Sequence, residues 1–153
     1  MIFLNPVNAQ FPDSLPFKTL YIAAGLPQSF ISSLVQDSTG FIWIGTRDGL
    51  ARYDGRKFKL FMHRQGDTTT LANNIITHMY IDSRSRLWIL YETGDIDMLN
   101  TSDEHLLHFS KHPVYGVVAG LVRSGNSIIE DAAGNIWLLG TNGGVFICNP
   151  DKN

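Results

Sequence analysis

One sequence motif occurs three times in this chain: an aspartate, five intervening residues and a tryptophan. Its copies span residues 37–43, 82–88 and 131–137, and they contain all three tryptophans of the sequence. The tryptophans lie 45 and 49 residues apart, and each is followed six residues later by a glycine. Self-similarity with a period of about 40–50 residues indicates a repeat architecture in which similar units pack on one another.

Within each unit, two short apolar runs flank a polar turn. One run precedes the aspartate, and the second contains the tryptophan, as in Phe41-Ile-Trp-Ile44. This pattern is typical of a β-hairpin. The aspartate can accept hydrogen bonds from backbone N–H groups two residues on, and Gly40 and Gly134 can take positive φ. Unit two carries Ser85 at this position, so we expect its turn to be less ideal.

A third and a fourth apolar run complete the pattern of a four-stranded antiparallel blade. The third runs are residues 50–53, 96–99 and 145–148, and the fourth runs are 57–61 and 106–109. No segment sustains a 3.6-residue periodicity, so almost no helix is expected. The sequence therefore predicts an all-β fold of about three β-propeller blades. The repeats lie near residues 25–70, 71–120 and 121–153, after an N-terminal segment at 1–16.

Composition excludes some classes of protein. The net charge is −2 without a basic stripe, which argues against nucleic-acid binding. No run of 18 apolar residues exists, so no insertion of this chain into a membrane is expected. The lone Cys148 is expected to pack as a small hydrophobic residue. Residues 1–16 have the small-residue pattern of a signal-peptide remnant near Ala9, and equally that of an arbitrary chain edge.

The sequence of unit one resembles that of a known family. Residues 25–55 are similar to a full two-component regulator propeller repeat, and residues 70–76 resemble the entry into its next blade. Unit two departs from this pattern at Tyr91-Glu-Thr93, where the family has Gly-Thr. The resemblance implies a periplasmic sensor domain of the kind found in one-spanner histidine kinases and hybrid two-component proteins of Bacteroidetes. Many such sensors respond to glycans.

The number of strands leads to an expectation about assembly. Phe17–Tyr21 resembles the fourth strand of an earlier blade, which brings the total to three blades' worth of strands. Closed propellers typically have about four to eight blades. We therefore expect either a part of a larger sensor or a homodimer in which Phe17–Tyr21 of each chain completes the last blade of the other.

Most conspicuous side chains have structural interpretations. The tryptophans are expected to pack between blades rather than to form a sugar platform. The histidines at 105, 108 and 112 match no metal-ligand spacing and are expected to be solvated, as are Asp95 and Asp97. No nucleophile elbow, metal-binding helix or P-loop is present, so neither catalysis nor a cofactor is predicted.

Loops on a rigid scaffold are the better candidates for binding. The loops between second and third strands open on one face of a propeller, and they carry the predicted ligand-binding residues Arg47, Asp48, Tyr91, Glu92 and Asn142. The sequence favours an extracytoplasmic, non-catalytic sensor for an oligosaccharide or another small molecule. The alternatives are a scaffold propeller for protein–protein contact and, less favoured, a propeller lyase.

Overall fold

The computed structural model describes residues 19, 25–27, 30–113, 127–140 and 143–152. Within these ranges the chain forms eleven strands in three antiparallel sheets. Blade 1 contains β1 (Ile31–Gln36), β2 (Ile42–Thr46), β3 (Gly49–Tyr53) and β4 (Phe58–Phe61). Blade 2 contains β5 (Ile76–Ile81), β6 (Arg86–Tyr91), β7 (Ile96–Asn100) and β8 (Leu106–His108). Blade 3 contains β9 (Ile128–Glu130), β10 (Ile136–Leu139) and β11 (Val145–Cys148).

The strands of each blade pair in chain order, which confirms the predicted all-β propeller blades. Helix in the described ranges is limited to one 3-10 turn at Phe109–Lys111, directly after β8. The first strands of the blades are neighbours, with β1 beside β5 and β5 beside β9. The predicted strand at Phe17–Tyr21 and the N-terminal segment 1–16 fall outside the residues that the structure describes, apart from Thr19.

The repeated aspartate links the turn to the tryptophan. In blade 1, Asp37 Oδ1 accepts hydrogen bonds from the backbone N–H groups of Thr39 (2.9 Å) and Phe41 (3.0 Å). Its other oxygen, Oδ2, accepts the indole N–H of Trp43 at 2.7 Å. The predicted turn cap is thus confirmed, and the indole contact explains the constant spacing of six residues between the two side chains.

The same aspartate–indole contact recurs in the other two blades. The indole Nε1 of Trp88 lies 2.9 Å from Asp82 Oδ2, and that of Trp137 lies 2.8 Å from Asp131 Oδ2. At the glycine position of the turn, Ser85 has a φ of 61°. A serine in this left-handed region is strained relative to glycine, as expected for unit two.

The blades pack face to face in a repeating way. The side of each sheet that carries the tryptophan is called here the Trp face, and the other side the opposite face. The Trp face of blade 1, with Trp43 and Leu50, packs against Met79 and Ile89 on the opposite face of blade 2. The Trp face of blade 2 packs in the same way on blade 3, where Trp88 and Leu90 join one cluster with Ile128, Ile136 and Leu138.

The predicted interblade role of the tryptophans is therefore confirmed for two of them. Trp43 and Trp88 are fully buried between blades. Trp137, on the Trp face of blade 3, is only partly buried. Its packing differs because no blade among the described residues covers that face.

Candidate functional site

The loops predicted to share one face are joined by a common segment. Residues 62–75 connect β4 to β5. The N–H of Gly49, at the β2–β3 turn, donates to the carbonyl of Asn74 at 2.8 Å. The N–H of Glu92, at the β6–β7 turn, donates to the carbonyl of Ile75 at 3.1 Å. We call this end of blades 1 and 2 the loop face: the two turns together with residues 62–75.

Three of the predicted binding residues lie exposed on the loop face. Arg47 and Asp48 occupy the β2–β3 turn, and Glu92 occupies the β6–β7 turn. The Arg47 guanidinium lies 4.7 Å from the centroid of the Phe30 ring. Asn142 falls outside the described residues. Arg47, Asp48 and Glu92 remain predictions as ligand contacts.

Tyr91 is a correction to the expected site. It is the last residue of β6, and its side chain is buried, with 1% of its surface exposed. Its hydroxyl donates to Asp97 Oδ2 at 2.8 Å. Burial and the neighbouring carboxylate raise its pKa well above the ordinary value of a tyrosine. Tyr91 pairs with Ile76 at the end of β6, and its equivalent in blade 1, the buried Thr46, pairs with Ile31 at the end of β2. The side chain at this strand position faces the core in both blades.

Asp97 and His108 are a second correction, because both were expected to be solvated. Asp97 is fully buried on β7, where it also accepts the N–H of Ala72 at 2.8 Å. His108 places Nδ1 2.7 Å from Asp97 Oδ1 and Nε2 2.9 Å from the carbonyl oxygen of Thr68. Each ring nitrogen of His108 is therefore occupied by a contact within the protein. These bonds hold the 62–75 segment against blade 2.

Sequence reasoning missed this cluster because its contacts with Ala72 and Thr68 join residues that are 25 and 40 positions apart along the chain. One signal was available in the repeat. Asp97 of blade 2 occupies the strand position of the buried Ala51 in blade 1. The pairing shows this equivalence, because Ala51 pairs with Ile44 and Asp97 pairs with Ile89. A carboxylate at an inward-facing strand position needs donors nearby. In the described part of the chain, no three His, Cys, Asp or Glu side chains are placed to hold a metal ion.

Two cavities flank the 62–75 segment and share Arg64 and Leu71. The larger has a volume of about 240 Å³ and lies between the outer strands β4 and β8. We call it the groove cavity; it has an apolar floor and a polar rim, formed by Leu60, Phe61, Met62, Leu71, Leu99 and Leu106 and by Arg64, Thr69, Thr70 and Glu104. The smaller, of about 110 Å³, is lined partly by His63, His108 and Lys111.

The charged side chains around the two cavities differ in whether they form ion pairs. Glu104 on the rim of the groove cavity accepts from both Arg52 and Lys59, so its charge is compensated. The side chains of Arg64 and Lys111 are exposed, and within the described ranges neither forms a hydrogen bond or ion pair. The charge of Arg64 acts on the nearby Asp67, and its guanidinium N–H groups lie at the junction of the two cavities without a hydrogen bond within the described ranges.

Comparison with known proteins agrees with this architecture. Residues 25–48 match the family model described as two component regulator propeller. Histidine kinase P4 of Formosa agariphila is 37% identical over 71 residues, which is 46% of this chain and 5% of that protein.

Two solved structures from B. thetaiotaomicron are similar over most of the chain. Both are extracellular domains of proteins described as hybrid two component systems. BT3049 superposes with a TM-score of 0.67 at 19% identity, covering 86% of this chain and 20% of that one. BT4673 superposes with a TM-score of 0.62 at 27% identity, covering 87% and 19%.

The chain thus spans about one fifth of these solved domains and a twentieth of the kinase. No helix in the described ranges has both the length and the apolar character needed to cross a membrane. The resemblance seen in the sequence is confirmed: this chain carries a two-component regulator propeller repeat within an array of β-propeller blades.

Proposed function

We propose that this chain is a ligand-binding part of the sensor propeller of a two-component signalling protein, located in the periplasm. The ligand is a saccharide or a similarly polar small molecule, and the chain performs no chemistry on it. This proposal is supported by the likeness to extracellular domains of hybrid two component systems. We assign the ligand to the groove cavity between blades 1 and 2.

One observation carries this assignment: an apolar floor and a guanidinium that makes no hydrogen bond within the described ranges meet in the same cavity. Sugars combine apolar ring faces with hydroxyl groups in fixed directions. Leu60 and Leu106 supply apolar surface, while Arg64 and Thr69 supply hydrogen-bonding groups at the rim. Pockets for small molecules share this plan, with few polar groups fixing the orientation. A volume of about 240 Å³ suits a single sugar unit or a small fragment of a longer chain.

The exposed loop residues extend the proposed site. Arg47, Asp48 and Glu92 lie on the same loop face as the 62–75 segment that separates the two cavities. A ligand longer than the groove cavity would reach toward these side chains, and Asn142 keeps the same proposed role on the third blade. Tyr91 has no part in the site because its ring is in the core.

The absence of catalysis is part of the proposal. The most enzyme-like pair, Asp97 and His108, uses both ring nitrogens of the histidine for contacts within the protein. Because Nε2 already faces the carbonyl of Thr68, it is not available to take a proton from a ligand in this arrangement. The pair therefore supports a structural role in fixing the loop face.

The test is titration of saccharide fragments into the purified chain, after a glycan-array screen. We expect Arg64→Ala to weaken binding at least about tenfold, as loss of a charge-assisted hydrogen bond does. Arg84→Ala is the matched control, because Arg84 is an exposed arginine at the other end of blade 2. Unchanged affinity in Arg64→Ala, with a saccharide that binds the parent chain, would reject the groove cavity. Turnover of the bound saccharide would reject the non-catalytic role.

A further inference from the structure

The smaller cavity beside the 62–75 segment, here called the basic cavity, has a positively charged lining. Its volume is about 110 Å³, and its charged side chains are the cations Arg64 and Lys111 and the carboxylate of Asp67. Asp67 Oδ1 accepts the N–H and the hydroxyl of Thr69, at 3.0 and 2.6 Å, so this carboxylate already has donors within its own turn. The whole chain has a net charge of −2, so the excess of cations is local to this cavity.

Two histidines complete the basic part of the lining, and they differ in what they offer a ligand. Both ring nitrogens of His108 contact protein groups, so this ring has no further hydrogen bond to give. His63 Nδ1 lies 2.6 Å from the carbonyl oxygen of Leu71, and it is the donor because a carbonyl oxygen only accepts. Within the described ranges His63 Nε2 makes no hydrogen bond, which leaves it for a ligand hydroxyl.

The backbone of Arg64 is fixed, although its guanidinium has no hydrogen bond in the described part of the chain. Its N–H donates to Thr70 Oγ1 at 3.0 Å, and its carbonyl oxygen accepts the N–H of Asp67 at 3.1 Å. A guanidinium can bind an oxyanion through two parallel N–H groups, which fixes the orientation of the anion. Because Arg64 lines both cavities, one side chain can contact ligand groups in each of them.

We propose that the basic cavity binds an anionic group, a carboxylate or a sulfate ester, of the saccharide whose ring occupies the groove cavity. This inference rests on the proposed function and names its ligand class, an acidic saccharide. Such a substituent lies at the edge of a sugar ring, and the two cavities meet at Arg64 and Leu71. Arg64 pairs with the anion, and Lys111 adds a second positive charge that a neutral sugar leaves uncompensated.

Titration of matched sugars tests the ligand class. Glucose, galactose and mannose are each compared with the uronic acid that has a carboxylate at C6, and with the 6-sulfate of the same sugar. We expect one acidic form to bind at least about tenfold more tightly than its neutral partner, as expected for a charge-assisted hydrogen bond. This advantage should shrink between about 0.1 M and about 1 M salt, because the screening length falls from about 10 Å to about 3 Å.

The outcomes of this titration separate the two proposals. Equal binding of neutral and acidic partners would overturn the anionic group and leave the groove cavity as a saccharide site. Sodium sulfate is a further arm, and if it binds as tightly as the acidic sugars, the basic cavity holds a free anion and the saccharide assignment is overturned. If no sugar of any kind binds, then the proposed function and this inference fall together.

Variants at Lys111 test where the anion lies. Lys111 is an exposed residue at the end of the 3-10 turn and does not line the groove cavity, so its replacement should leave the fold intact. Lys111→Gln should weaken binding of the acidic sugar at least about fivefold, and Lys111→Glu should weaken it further, while the affinity for the neutral partner is unchanged.

Lys57→Gln is the matched control, because it removes the same charge from the exposed β3–β4 turn at the opposite end of blade 1. We expect this variant to bind both sugars as the parent chain does. Equal losses in Lys57→Gln and Lys111→Gln would show that only the net charge matters, and they would overturn the basic cavity as the anion site.

Discussion

The two ends of the blades differ in how closely their contacts repeat. The turn end contains the turns between the first and second strands of each blade, and the loop end is the loop face. At the turn end, each blade repeats one arrangement: an aspartate caps the turn with one carboxylate oxygen and holds the indole N–H with the other. At the loop end, blade 1 has a short turn at Thr46–Gly49, whereas blade 2 has Tyr91 in the core and a buried contact between Asp97 and His108. The contacts at the turn end are therefore the same in all three blades, whereas the contacts at the loop end differ between blades 1 and 2.

This difference has a physical cause. The aspartate, the turn and the tryptophan lie within seven residues, so one local sequence can reproduce all of their contacts. The cluster at the loop end includes the local pair Tyr91 and Asp97, but its contacts with Ala72 and Thr68 of the 62–75 segment span 25 and 40 residues, so no local sequence encodes the whole cluster. Positions that break a repeat without losing the fold are where function is expected.

The largest expected effect is at the turn end. Trp88→Ala removes a fully buried indole between blades and leaves Asp82 without one of its donors, and it should reduce the free energy of unfolding by about 3–5 kcal/mol. Trp137→Ala is the matched comparison, because the same contact with aspartate exists on a partly exposed face. It should cost roughly 1–2 kcal/mol, as expected for partial burial. Equal losses in urea unfolding would contradict the distinction between covered and uncovered faces.

A smaller effect is expected for the core residue at the loop end. Tyr91→Phe keeps the ring and removes one donor to the buried Asp97, so it should lower the free energy of unfolding by about 1–2 kcal/mol. The neighbouring Glu92→Gln changes an exposed side chain and should stay within about 0.5 kcal/mol. Chemical denaturation of both variants gives the comparison. A Tyr91→Phe protein as stable as the parent would mean that the hydroxyl does not support the buried carboxylate.

The smallest effect is a dependence on acid at the turn of blade 3. Hydrogen bonds from the side chains of Asn135 and Trp137 lower the pKa of Asp131 from 3.8 to about 2. Because the folded-state pKa lies below the unfolded value, the carboxylate stabilises the fold above about pH 4, and this contribution is lost as the pH falls toward 2.

Asp131→Asn should therefore flatten the fall in stability between about pH 4 and 2, measured as urea midpoints across that range. Asp103→Asn, at an exposed loop position, is the control. If the parent and Asp131→Asn lose stability in parallel as the pH falls, then the hydrogen bonds from Asn135 and Trp137 do not favour the charged form.

Much of the fold and part of the candidate site follow from local sequence. The period, the turns and the third strands were predictable because strand alternation, glycine positions and the aspartate phrase are encoded over a few residues. The same reasoning placed Arg47, Asp48 and Glu92 in exposed loops. It misplaced Tyr91, because this residue is the last of strand β6 rather than part of the loop, and its side chain faces the core as the buried Thr46 does at the end of β2.

Only the tertiary structure decided what each blade face and the interblade segment contact. The burial of Asp97 depends on residues 68–72, which come from the segment between blades 1 and 2 and lie against β7 and β8 of blade 2. The groove cavity likewise exists only between two finished blades. Trp43, Trp88 and Trp137 have the same local sequence context, yet two are buried and one is partly exposed. The reason is that the burial of a sheet face depends on the structural element that packs on it, and the sequence of one repeat does not specify that element.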